Sequence, residues 1–266
     1  MAVSGHQHNF APSVVRLDDG RYRMYANAGM DAGVVSLVSS DGIAFTPEPG
    51  VRLSKTGDPK LDCTSSHPWV IAVSGGWRMY YQGNADCNPE RGGPVQYRIF
   101  SAYSKDGLSF TREGVRIEGS PANGLHEAAH GRVLQMPDGT FRMYFSAGII
   151  GKEGPSDLLT ATSEDGLRWT VDLRPVLERA HDPAVIAIGG KVFIFANYLG
   201  DNLLILESVD GRTFAPTSWV DFYSPGGTRI EEFGDVDVAL LPDGQLAMYG
   251  SGKGSRGIVT ALRSSR

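Results

Sequence analysis

Ala11-Pro-Ser-Val-Val-Arg-Leu-Asp-Asp-Gly20, Arg21-Tyr-Arg-Met-Tyr-Ala26, Val34-Val-Ser-Leu-Val-Ser-Ser-Asp-Gly42 and Phe45-Thr-Pro-Glu-Pro-Gly-Val-Arg-Leu53 follow one another near the start of the chain. Each piece is a short apolar or alternating run, bounded by Asp-Gly or another turn sequence, which is the pattern of strands joined by tight hairpins. Four such runs make an antiparallel meander. The unit returns from His67-Pro-Trp-Val-Ile71 to Phe110-Thr-Arg-Glu-Gly-Val-Arg-Ile117, and from His130-Gly-Arg-Val-Leu134 to Trp169-Thr-Val-Asp-Leu-Arg-Pro-Val-Leu177. It returns again from Asp182-Pro-Ala-Val-Ile186 to Phe214-Ala-Pro-Thr217, and a last time from Asp235-Val-Asp-Val-Ala-Leu-Leu241 to the end of the chain at Arg266.

A period of roughly 50 to 60 residues with four strands per copy is that of propeller blades. The expected fold is therefore all-β: one five-bladed β-propeller domain over residues 1–266, with four-stranded antiparallel blades at about 6–53, 62–117, 125–177, 180–220 and 231–266. The fifth copy stops where its fourth strand should begin. That blade is either incomplete or closed by the N-terminal residues. The Met-Tyr pairs of the second strands, such as Met24-Tyr25 and Met143-Tyr144, read as packing between blades.

Composition agrees with this reading. In 266 residues there are 34 Gly and 15 Pro with only 21% charged residues, too rich in turns for a helical bundle. No apolar run is long enough to cross a membrane as a helix, and Met1-Ala-Val-Ser-Gly-His6 is not an export signal. The chain as written is expected to be cytoplasmic, or secreted if a signal has been removed. A net charge of -5 with scattered Lys and Arg leaves no basic stripe, so neither nucleic acid nor membrane is an expected partner. The expected partner is a small-molecule or carbohydrate substrate, bound by a monomer. Cys63 and Cys87 allow one disulfide or two free thiols.

In a propeller the first strand of every blade lines the axis, and its N-terminal end opens on the face that carries the long, irregular loops. Aligning the copies puts Ala11, His67, His130, Asp182 and Asp235 at equivalent positions, with His8, Thr64, Glu127, Arg179 and Glu232 three residues upstream. All six histidines, His6, His8, His67, His126, His130 and His181, fall in these entry segments. Imidazoles and carboxylates brought together suit a transition metal, so His8, His67, His130, His181 and Asp235 are the expected ligands of a divalent ion. Zn is the first choice, with Mn, Fe or Ca as alternatives. Glu127, Asp182 and Glu232 are the catalytic candidates, one of them acting as base on metal-bound water. Arg229 and Tyr223 are candidate substrate-binding residues at the rim, and Asp237, deeper on its strand, is a structural carboxylate.

The Pro-x-Val-Val first strand before an Asp-Gly turn, the Arg-x-Arg-Met-Tyr second strand and the Ser-x-Asp-Gly-x-x-Phe/Trp turn resemble the five-bladed propeller glycoside hydrolases, a group that includes arabinanases, xylosidases and invertase-like enzymes. The resemblance spans the chain and implies a catalytic base on an Asp-Pro pair opening the first blade, a second Asp tuning acidity and a Glu as general acid. Here the first blade reads Ala11-Pro12 and the second His67-Pro68, and only Asp182-Pro183 keeps the dipeptide. The expected function is a metal-dependent hydrolase whose axial His/Asp centre activates water against an ester or phosphoester bond. The alternatives are a glycoside hydrolase using Asp182 with Glu127 or Glu232, and a non-catalytic glycan-binding propeller.

Overall fold

A computed structural model describes residues 9–29, 33–58, 62–84, 96–154, 156–199, 202–230, 233–251 and 257–263. His6, His8, Cys87, Glu231 and Glu232 lie outside them. The described residues form strands only, and five sheets follow one another as meanders in chain order. Blade 1 is β1 (Asn9–Arg16), β2 (Tyr22–Ala28), β3 (Val34–Ser39) and β4 (Thr46–Pro47). Blade 2 is β5 (Ser66–Val73), β6 (Gly76–Asn84), β7 (Tyr97–Ser104) and β8 (Thr111–Ile117). Blade 3 is β9 (Leu125–Gln135), β10 (Phe141–Ile149), β11 (Asp157–Ser163) and β12 (Thr170–Leu177), and blade 4 is β13 (Ala180–Ile188), β14 (Lys191–Tyr198), β15 (Asn202–Ser208) and β16 (Ala215–Val220). A small hairpin, β17 (Phe222–Tyr223) and β18 (Arg229–Ile230), leads to blade 5: β19 (Gly234–Leu240), β20 (Leu246–Ser251) and β21 (Val259–Leu262).

In blade 1 the second strand is the most deeply buried, because both of its faces meet a neighbouring blade: all seven residues of Tyr22–Ala28 are buried. Tyr22, Met24 and Ala26 of this strand pack against blade 5 and Tyr25 against blade 2, and the polar Arg23 and Asn27 are buried with partners, Glu48 and the Ser65 carbonyl. The tyrosine at the position of Tyr25 then needs a partner for its hydroxyl. It finds one in the Ser-x-Asp-Gly turn of the next blade: Tyr25 donates to Gly107 O at 2.8 Å, Tyr80 to Gly166 O at 2.9 Å and Tyr144 to Gly211 O at 2.8 Å. Tyr249 of blade 5 donates to Gly42 O of blade 1 at 2.7 Å and so closes the ring. In blade 4 the equivalent residue is Phe195, which has no hydroxyl, and blade 5 has no Ser-x-Asp-Gly turn to receive one.

Closure rests on further contacts between the first and last blades. Asp237 Oδ2 accepts Val14 N–H at 2.5 Å, and Tyr22 donates to Leu240 O at 3.0 Å. Among the described residues blade 5 keeps three strands. The sequence expectation of an N-terminal strand completing it falls on residues outside them.

Candidate active site

Ala11, His67, His130, Asp182 and Asp235 have φ of 50°, 50°, 53°, 48° and 50°. Each sits where its inner strand slips register against the second strand: between Phe10 and Ser13, Ser66 and Trp69, His181 and Ala184, and Gly234 and Asp237, with the matching slip of blade 3 at Tyr144/Ser146. The site therefore rests on one β-bulge used five times. A left-handed non-glycine residue is strained by roughly 1–2 kcal/mol, and neighbouring blades hold two of the bulges through their N–H groups. His67 N–H donates to Asn27 Oδ1 at 2.8 Å, and Asp182 N–H to Ser146 Oγ at 3.1 Å.

These bulges bring four of the five side chains into one chain of contacts. Asp182 Oδ1 lies 2.7 Å from His130 Nδ1, which is also 3.2 Å from Ser146 Oγ. The Oδ1 approach is an ion-pair contact without the alignment of a hydrogen bond. Asp182 Oδ2 is 3.0 Å from His181 Nδ1. The His130 and His67 rings meet edge to face with centroids 4.5 Å apart, and His67 Nε2 reaches Asp235 Oδ1 at 3.3 Å. His67 thus spans from blade 2 to blade 5. The equivalent residue between those two blades is Ala11, fully buried, whose methyl group fills little of the ring. Phe10 packs edge-on against the other side of His67 at 5.7 Å.

Electrostatics divide the four groups. Burial works against ionisation of Asp182, but the His130 charge, its close approach to Oδ1 and the hydrogen bond from His181 outweigh it and hold the carboxyl well below the usual range. His67 is pushed the other way, chiefly by burial and then by the neighbouring His130, so its neutral form is favoured. A carboxyl pushed towards its ionised form and an imidazole pushed towards its neutral form therefore lie on either side of His130.

One position further along, two residues beyond each bulge, lie Ser13, Trp69, Arg132, Ala184 and Asp237, all buried. Arg132 is fully buried beneath the ring, with its guanidinium 5.2 Å from the Trp69 ring centre. Trp69 and Asp237 also line a cavity of about 510 Å³ whose other walls, among them Val14, Leu134, Ile186 and Leu240, are mostly aliphatic. It belongs to the turn end of the axis, away from the histidines.

The remaining sequence candidates are placed as follows. Glu127 is on β9 opposite Gly148, and its carboxylate takes the Tyr97 N–H of blade 2 instead of meeting Asp182. Burial raises its pKa. Arg229 is paired with Asp221 at 2.9 Å on the exposed hairpin, where Tyr223 is also exposed. Cys63 is disulfide-bonded and buried.

Of the expected metal ligands, His67, His130, His181 and Asp235 are described and do not gather round one point; His8 lies outside the described residues. Among the described residues no three His, Cys, Asp or Glu side chains are placed to hold one ion. The reason is visible in the contacts: His130 and His181 both turn Nδ1 to Asp182, and His67 turns Nε2 to Asp235. Imidazoles and carboxylates face each other in pairs instead of facing a common point. Arg132 is the residue missed from the sequence. Its signal was a cation at an inner-strand position whose equivalents are Ser13, Trp69 and Ala184, with the opposite charge, Asp237, in blade 5.

No family model matches the chain. An uncharacterized protein of Mycobacterium tuberculosis, known from two strains, is 27% identical over 164 residues, 59% of this chain and 52% of its own. The chain spans about half the length of these curated relatives. Among solved structures, an alpha-L-arabinofuranosidase from Lactobacillus brevis superposes with a TM-score of 0.76 at 15% identity, over 100% of this chain and 94% of its own. A thermostable family-43 glycoside hydrolase gives 0.74 at 18% identity, over 99% and 92%. A family 117 glycoside hydrolase from the marine bacterium Zobellia galactanivorans gives 0.68 at 17%, over 90% and 83%. The fold of this chain is the five-bladed propeller of those glycoside hydrolases.

Proposed function

We propose that the protein is a glycoside hydrolase that binds a carbohydrate at the axial mouth and cleaves it with the Asp182, His130, His67 and Asp235 group. The observation that carries this reading is the Asp182–His130 contact at 2.7 Å beside a His67 whose neutral form is favoured. Glycosidic bond cleavage needs a proton delivered to the leaving oxygen, a base for the attacking water and negative charge near an oxocarbenium-like centre. Asp182, held ionised, supplies the fixed negative charge and orients His130 through Nδ1, which leaves the His130 Nε2 to exchange a proton with substrate or water. His67, ordered by Asp235, is a second proton-handling group on the same axis. This is a rearranged site: imidazoles take places that carboxyls fill where the sequence resemblance would put an Asp, and Ala11 leaves the first blade without one. Glu127, its pKa raised by burial, is a further acid at the rim.

A panel of aryl glycosides and oligosaccharides, with protein purified without a nickel column, tests the reading. At least one substrate should be turned over, and Asp182→Asn should lower kcat/KM by about 10³-fold or more, the scale on which an Asp orients its His in acyl-transfer triads. Glu127→Gln should lower it by less. No turnover on the panel, or an active Asp182→Asn protein, overturns it. A stoichiometric metal lost together with activity on chelation would instead favour the metal-dependent hydrolase.

A further inference from the structure

Arg132 is the largest fully buried side chain of the described residues, and it lies under the ring just described. Its Nε donates to Pro183 O at 2.9 Å and its Nη1 to Pro68 O at 3.4 Å. Pro183 and Pro68 are the residues immediately after Asp182 and His67. One guanidinium on blade 3 therefore ties the backbone of blades 2 and 4 directly behind the two left-handed residues that carry the site, while its own strand carries His130 two residues upstream. Proline has no N–H, so these two bulges lack a backbone donor at the next residue, and the carbonyls are what remains to anchor them. The planar fork of arginine matches two diverging acceptors, which a lysine ammonium on a flexible stem does not.

Burial of this cation is tolerable only because opposite charges surround it. Asp237, Asp182 and Asp235 are the carboxylates that act on it, the first below the ring and the other two in it. Nη2 has no hydrogen-bond partner. An aliphatic residue of similar length, packed against Trp69, would fill the space without that desolvation, so packing alone does not explain an arginine here.

We propose that Arg132 is a positioning residue of the axial site: it clamps the backbone behind His67 and Asp182 and sets how these two side chains stand relative to His130. Its activity arm rests on the glycoside hydrolase reading; its structural arm does not. In the activity arm, Arg132→Lys keeps the charge and loses the two-point clamp, and Arg132→Met loses both. Each variant, confirmed as folded by its circular dichroism and a cooperative melt, should lose at least about tenfold in kcat with KM changed less than about threefold, and Lys should not restore the wild-type kcat. A folded Arg132→Met protein with wild-type kcat overturns the proposal, as does a loss that appears in KM alone.

The structural arm uses the wild-type protein and no substrate. The Arg132 Nε–H should appear in a 15N-resolved proton spectrum as a slowly exchanging guanidinium resonance that loses its protection in a Pro183→Ala protein whose local backbone shifts. Exchange of the wild-type Nε–H at the rate of an exposed arginine overturns the clamp even if both substitutions fail to fold. If no panel substrate is cleaved, the glycosidase reading fails while a protected Nε–H still upholds the clamp.

Discussion

At the scale of single residues, glycines and left-handed residues separate two kinds of constraint. Gly166 has φ of 71°, and a Cβ placed there would stand 2.8 Å from both the Tyr80 hydroxyl and Arg78 Nη1, the first of which bonds its carbonyl. Gly139 has φ of 87° but nothing within 4 Å of such a Cβ. Both glycines look alike in the sequence, each closing an Asp-Gly turn. Gly139→Ala should destabilise by about 1 kcal/mol, from backbone strain alone, and Gly166→Ala by about 2–3 kcal/mol, because it also breaks a buried hydrogen bond. Urea unfolding of the two variants separates them, and equal losses would show that the Tyr80 latch contributes nothing. The histidines were legible as a group because the repeat alignment puts them in the entry segments of the inner strands, two of them, His67 and His130, at one position. That His67 reaches Asp235 was not legible, since it depends on the small Ala11 leaving room across the ring.

At the scale of elements, the Ser-x-Asp-Gly turn works through its aspartate. Asp106 Oδ1 accepts N–H from Leu108 at 2.8 Å and from Ser109 at 3.0 Å, and the Ser104 hydroxyl at 2.9 Å. These backbone donors bring its pKa down to about 2. The motif repeats at Asp41, Asp165 and Asp210 with the same pair of following N–H groups. An asparagine keeps the accepting oxygen and an alanine does not. Asp106→Ala should therefore lower stability by about 1 kcal/mol and Asp106→Asn by well under half of that. If asparagine is as damaging as alanine in chemical denaturation, the charge and not the acceptor matters. The strand order, the turn positions and the Met-Tyr strands were all readable because period-2 patterning and Asp-Gly turns are local properties. The bulges were not, because an extra residue in an inner strand leaves apolar alternation intact on either side of it.

At the scale of the whole molecule, the ring must hold blade 5 against blade 1, and Asp237 takes part in that closure through Val14 N–H. Burial pushes its carboxyl up to about 7, against the pull of the Val14 and Val238 N–H donors and the Arg132 charge. A carboxyl with a folded pKa above its unfolded value near 3.9 adds stability that is complete below about pH 4 and is lost as pH rises towards 7, by up to about 1.4 kcal/mol per pH unit. Thermal melts of wild type and Asp237→Asn between pH 4 and 8 should show this slope as the difference between them, flat above pH 7. A constant difference across that range would mean that Asp237 is ionised throughout. By itself the sequence determined the five-fold repeat, the meander within each blade and the axial location of His67, His130 and His181, because each follows from the spacing of residues along one strand or turn. The pairing of imidazole with carboxylate, the clamp by Arg132 and the closure through Asp237 and Tyr249 were decided only by the tertiary structure. Each joins residues from different blades, and their distances are fixed by how the blades pack around the axis and not by their separation in the chain.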